Sequence, residues 1–103
     1  MQRAYNAPSD RHIVVVVRDT CGACQMLFQH LHALLRKGAA LPGDIWLVRT
    51  EHVAAVPALA GANVQSVPTF FVVQDGAVVT SKAGVHPSAD GMLDVMRGML
   101  HGQ

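Results

Sequence analysis

Ile13-Val14-Val15-Val16-Val17 is an unbroken β-branched run near the start of the chain. Without polar alternation, such a run predicts a strand buried on both faces, the habit of a central parallel strand. Arg18-Asp19-Thr20 ends it with turn and capping residues. From Cys24 to Lys37, the positions Cys24, Leu27, Phe28, Leu31, Leu34 and Leu35 recur at i, i+3, i+4 and i+7. That spacing predicts a helix with one apolar stripe. Arg36 and Lys37 suit the negative end of its dipole, and Gly38 suits the position just past its end. Leu41-Pro42-Gly43-Asp44 reads as a loop, and Ile45 to Val48 as a second short strand. Strand, helix and strand in this order predict a βαβ unit with parallel strands.

His52 to Ala62 is rich in alanine but interrupted by Pro57, so it reads as a short helix or loop. Thr69 to Gln74 and Ala77 to Lys82 are strand-like runs separated by Asp75-Gly76, a strong two-residue hairpin signal. Ser88 suits the cap of a last helix, with Pro87 before it and Asp90 in its first turn. Leu93, Met96, Met99 and Leu100 form that helix's stripe. Gly91 and Gly98 weaken it by up to ~1 kcal/mol each relative to Ala. The element order β-α-β-(α)-β-β-α predicts an α/β fold with helices on both faces of the sheet.

The 103 residues make one domain, 1–103, the expectation at roughly 150 residues per domain. Half of the residues are hydrophobic and 15% are charged, which excludes a disordered chain. The formal net charge of +1 argues against nucleic-acid binding, which needs a basic excess. The aliphatic run at 13–17 is far short of a membrane span of about 20 residues, so no membrane partner is expected. Met1 to His12 is polar and lacks the apolar centre of a signal peptide, so a cytoplasmic location is expected.

Two cysteines are too few for a disulfide scaffold. They stand two residues apart, in Cys21-Gly22-Ala23-Cys24, directly after a strand and at the first turn of a helix. There the unpaired backbone N–H groups and the positive dipole end favour a thiolate at Cys21. Cysteines in such settings have pKa values lowered to roughly 3.5–7.5. Cys24 lies one turn deeper and is within reach of Cys21 for a short disulfide. Cys21 is therefore the candidate nucleophile and Cys24 the candidate resolving thiol. Gly22 keeps the turn tight and leaves Cys21 open to a partner. Asp19 opposes a thiolate by its charge, and Arg18 has the sign to offset it. A zinc site needs two further ligands, and none of His12, His30, His32, His52, His86 and His101 pairs at finger spacing. No metal site is expected. The bland alternative is a pair of ordinary buried cysteines.

With Val67-Pro68-Thr69 as a second anchor, the chain resembles the thioredoxin family over about residues 12–101. The Asp75-Gly76 hairpin, Gly84 after the fourth strand and the closing helix match the rest of that pattern. The resemblance implies a thioredoxin-like fold with a mixed four-stranded sheet. It implies that Pro68 is cis and lies beside the dithiol, and that the Val67 backbone pairs with an extended substrate segment. Gly22, Ala23, Val67, Pro68 and Gly84 are then the substrate-binding positions. It further implies protein disulfides as substrates, a thioredoxin-reductase-like electron donor and no tightly bound cofactor. Three positions depart from the family: Thr20 stands where Trp is common, Ala23 where Pro is frequent, and Val15 where a buried Asp assists the second cysteine. The N-terminal part is shorter by about one strand and one helix. A strand missing there exposes a sheet edge, which leaves a monomer or a weak homodimer open unless Met1 to His12 covers it. Trp46, in the second strand, reads as core.

The expected activity is reduction of protein disulfides by dithiol exchange. A glutaredoxin-like, glutathione-dependent reductase is one alternative. A non-catalytic adaptor or redox sensor is another.

Overall fold

In the computed structural model the described residues are Tyr5 and 11–102. The elements are β1 (His12–Val17), α1 (Gly22–Arg36), β2 (Ile45–Arg49), β3 (Thr69–Gln74), β4 (Ala77–Ala83) and α2 (Ala89–His101). Between β2 and β3 the chain forms two 3-10 helices, Thr50–Ala55 and Pro57–Leu59. Pro57 takes the first position of the second one, where its missing N–H costs nothing. The ambiguous alanine-rich stretch is thus two short tight turns rather than one helix.

The four strands lie in the order β2-β1-β3-β4. β1 pairs parallel with β2 and antiparallel with β3, and β3 pairs antiparallel with β4. This is a thioredoxin-like mixed sheet. The hairpin turn has positive φ at both Asp75 and Gly76, which a two-residue turn between twisted strands requires. A register shift between Val72 and Val73 adjusts the β3–β4 pairing.

Every residue of β1 is buried, and its alternation explains why no polar residue interrupts it. Ile13, Val15 and Val17 face one apolar cluster with Cys24, Leu27, Leu34, Phe70, Met92 and Met96, which lies under α1 and α2. Val14 and Val16 face the other, with Trp46, Val48, Val56, Leu59, Phe71 and Val73, roofed by the 3-10 helices. Helices therefore cover both faces, with α-helices on one side only. Tyr5 packs edge-on against Trp46 on that second face, and its hydroxyl hydrogen-bonds His12 Nε2 at 2.7 Å.

Two expectations need correction. α1 begins at Gly22, not Cys24, because Cys21 itself is the cap residue. Leu35 is no part of the buried stripe; it is 63% exposed, while Leu34 is fully buried. β4 is an edge strand, exposed along nearly its whole length. β2 forms the opposite edge. Whether 1–10 shields it lies outside the described residues apart from Tyr5. Among the described residues no helix is long and apolar enough to cross a membrane.

Candidate functional site

β1 ends at Val17 and α1 starts at Gly22, so the loop between them lifts Cys21 to the C-terminal edge of the parallel strands. Cys21 occupies the N-cap of α1, a position usually held by Ser, Thr, Asp or Asn. Its Sγ accepts the Cys24 N–H at 3.1 Å, as an oxygen cap would. The first turn of α1 carries no acidic residue to compete for the dipole. Gly22 is exposed, and Cys21 is half-buried.

The two thiols are pushed in opposite directions. The hydrogen bond from the Cys24 thiol holds the Cys21 pKa down, helped by the backbone N–H groups of Cys24 and Ala23 and by the Arg18 charge, against some desolvation. Burial pushes the Cys24 thiol up to about 11, and donation to Cys21 adds to this. Cys24 is fully buried. Its Sγ also accepts the Arg18 N–H at 3.4 Å. Arg18 therefore acts on both sulfurs, on Cys21 by charge and on Cys24 through its backbone N–H and its charge. Sequence reasoning left the direction of Arg18 open and missed the backbone bond, which no residue type announces. The exposed Asp19 carboxylate is ion-paired with Arg49 at 3.1 Å, which offsets its charge. Val15 lies in the apolar cluster that holds Cys24 and is 1% exposed.

The second anchor meets the first. Val67 sits beside Cys21, whose Sγ lies 3.5 Å from the Val67 carbonyl. The Val67–Pro68 peptide bond is cis. Val67 precedes β3, so its backbone groups belong to no strand ladder. Thr69 Oγ1 donates to the Ser66 carbonyl at 2.6 Å, which ties the loop to the start of β3. Gly84 donates its N–H to the Pro68 carbonyl at 2.9 Å. Its φ is +91°, and a Cβ there would meet nothing within 4 Å. Backbone conformation, rather than lack of space, favours glycine at this point. The Cys21–Cys24 turn, Val67-Pro68 and Gly84 thus meet at the end of the sheet, with Gly22 and Gly84 exposed, Cys21, Ala23 and Val67 half-buried, and Cys24 and Pro68 buried beneath them.

Two histidines outside the expected set fasten the loop that follows Gly84. His30 Nε2–H, from α1, donates to the His86 carbonyl at 2.8 Å. His86 Nδ1 accepts the Ser88 N–H at 3.0 Å. Ser88 in turn caps α2 by accepting the Gly91 N–H at 3.0 Å. The signal for this in the sequence is Gly91, an otherwise unfavourable residue in a first helical turn. Among the described residues no group of three or more His, Cys, Asp or Glu side chains is placed to hold a metal.

The family model described as Thioredoxin matches residues 2–97. A comparison with curated proteins yields no match. Among solved structures, the chain is similar to thioredoxin from Aeropyrum pernix, with a TM-score of 0.65 and 16% identity, over 88% of this chain and 76% of that one. A mutant thioredoxin from Halobacterium salinarum gives 0.60 and 23%, over 90% and 77%. Mitochondrial thioredoxin 3 from Saccharomyces cerevisiae gives 0.51 and 24%, over 84% and 79%. At these identities the structures attest a common fold, and the family model carries the assignment further. Because that model spans nearly the whole length of the sequence, the chain belongs to the thioredoxin family.

Proposed function

We propose that the protein reduces protein disulfides by dithiol exchange, with Cys21 as nucleophile and Cys24 as resolving thiol. The family and the paired thiols support thiol–disulfide oxidoreductase chemistry in general. The observation that carries the finer reading is the asymmetry of the pair. Cys21 is accessible and capped by the Cys24 N–H at 3.1 Å, whereas Cys24 is fully buried. The Cys21 thiolate attacks one sulfur of the substrate disulfide. A mixed disulfide forms, and the displaced substrate thiolate takes up a proton. Cys24 then loses its proton and attacks Cys21 Sγ. The second substrate thiol leaves, and the Cys21–Cys24 pair holds the disulfide. Two electrons have passed to the substrate, and a thioredoxin-reductase-like donor returns two to the pair. Val67, Pro68 and Gly84 form the surface on which the substrate segment lies.

The test is insulin-disulfide reduction by the parent and by Cys21→Ser. Loss of activity in the variant supports the reading, and undiminished activity overturns it. The reduction potential of the pair in glutathione buffers then gives the direction. A value at or below roughly −220 to −320 mV marks a reductase in a cytoplasmic setting, and one near −120 to −180 mV an oxidant.

One observation favours a second reading. Cys24 is packed against Val15 and has no carboxylate among its hydrogen-bond partners. Slow resolution would leave a long-lived mixed disulfide, the behaviour of an adaptor or redox sensor. Negligible turnover together with a stable trapped substrate would favour it.

A further inference from the structure

A surface cavity of about 230 Å³ lies immediately beyond Gly84, between β4 and α2. Its floor is apolar: Phe70 is 2% exposed and Met92 fully buried, with the half-buried Val95 beside them. Gly84 and His86 form one wall, and Lys82 stands at the rim. Lys82 is directly opposite Phe70 in the β3–β4 register, so it shares that face of the sheet. Among the described residues the ion pairs are Lys37–Asp90 and Arg49–Asp19, which leaves Lys82 without a carboxylate partner.

The cavity adjoins the dithiol through backbone alone. Cys21 Sγ lies 3.5 Å from the Val67 carbonyl, and the Pro68 carbonyl accepts from Gly84 N–H at 2.9 Å. Gly84 then lines the cavity. This path is on the order of 10 Å, or about three residues of extended chain at roughly 3.3 Å each. An apolar hole of ~150 Å³ is enough to hold benzene. The volume here suits one large side chain and falls below the ~300 Å³ at which small-molecule pockets begin.

We propose that this cavity is a specificity subsite for the disulfide-bearing substrate segment. It receives one large apolar side chain about three residues from the attacked cysteine, with an acidic neighbour that meets Lys82. The inference rests on the disulfide-reductase reading and names the sequence that the same site prefers. The loop wall explains the investment in fixing His86: its carbonyl is held by His30 and its ring by Ser88, so the cavity keeps its shape before a substrate arrives.

The test uses the reduced full chain in single turnover, without added reductant, on disulfide-linked homodimers of ten-residue, single-cysteine peptides. Phe-Glu, Ser-Glu and Phe-Lys are placed three residues from the cysteine, on either side in separate peptides. Each rate constant is divided by that for a small disulfide, hydroxyethyl disulfide, with the same protein. Phe-Glu should exceed Ser-Glu about tenfold in one of the two placements, the discrimination available to an apolar pocket. Val95→Phe fills the cavity and should erase that preference, whereas Val79→Phe, on exposed β4 away from the cavity, should keep it. Lys82→Glu should reverse the preference for Phe-Glu over Phe-Lys. Equal rates for all peptides, or a preference that survives Val95→Phe with the fold intact by circular dichroism, overturn the subsite. If Val95→Phe does not fold, the parent's peptide ranking and Lys82→Glu decide alone. Failure of the parent to reduce even hydroxyethyl disulfide overturns the reductase reading instead, and the subsite with it.

Discussion

The His86 ring lies against the Cα of Gly91: a Cβ at Gly91 would stand 2.0 Å from His86 Cε1. An exposed helical Gly→Ala change stabilises by about 1 kcal/mol. Here the methyl must push the imidazole away and break its bond from Ser88 N–H. Gly91→Ala should therefore gain less than that in chemical denaturation. It should also shift the His86 imidazole resonances. Unchanged resonances would contradict the contact.

Exchange through an accessible and a buried thiol predicts opposite fates for two serine variants. Cys24→Ser should accumulate a covalent complex with a disulfide substrate through Cys21, visible by non-reducing electrophoresis. Cys21→Ser should accumulate none, because the Cys24 thiol is fully buried. A complex formed by both would remove the asymmetry.

The pKa shifts set a pH order for alkylation. With the Cys21 thiol held below its ordinary value of 9.0, iodoacetamide at neutral pH should label Cys21 alone. Cys24, pushed up to about 11, should react only in strong alkali and after partial opening. In the mixed disulfide Cys21 is no longer a thiolate, so burial alone keeps the Cys24 pKa raised. Release of substrate should then accelerate about tenfold per pH unit from neutrality to above pH 9. A flat profile there would point to an internal base.

The same shift bears on stability. Folding favours the neutral Cys24 thiol, so its contribution is complete below its ordinary value of 9.0 and is lost as the pH rises toward about 11. The reduced protein should lose more stability over that window than Cys24→Ala does. Cys21 has the opposite sign: its contribution is present above pH 9.0 and is lost as the pH falls through its lowered value. Urea midpoints across pH 7 to 11 check both.

Leu34 and Leu35 are neighbours in sequence and opposites in the fold, fully buried and 63% exposed. Leu34→Ala should cost about 2–5 kcal/mol, and Leu35→Ala within about 0.5 kcal/mol of nothing. Similar costs would mean that α1 is rotated from the face described.

How far the fold is legible depends on whether a signal is local. The β-branched run of β1, the Asp75-Gly76 turn and the Ser88 cap are short-range codes, and each appears where its chemistry predicts. Leu35 fits the helical spacing of α1 yet lies outside the width of the contact with the sheet, and periodicity does not report that width. The 50–59 segment is decided by Pro57 and by the need of Val56 and Leu59 to reach the second sheet face. At the site, the dithiol is readable because the chain has only two cysteines and they stand two residues apart, whereas Val67-Pro68 is readable only through the family resemblance. The Arg18 N–H, the His30–His86 tether and the cavity beside Gly84 arise from backbone placement and contacts between distant segments, such as His30 with His86, which no local pattern encodes.

Arg11 binds the far end of the molecule together. Its guanidinium donates to the carbonyls of Met99, Leu100 and Gly102 at the end of α2, and to Gln74 Oε1. Arg11 and the end of α2 therefore meet where β1 begins, and β1 carries the chain about 20 Å to the dithiol side. An anchor attached through the end of α2 would therefore leave the thiols facing outward, so the molecule can be held there without blinding it.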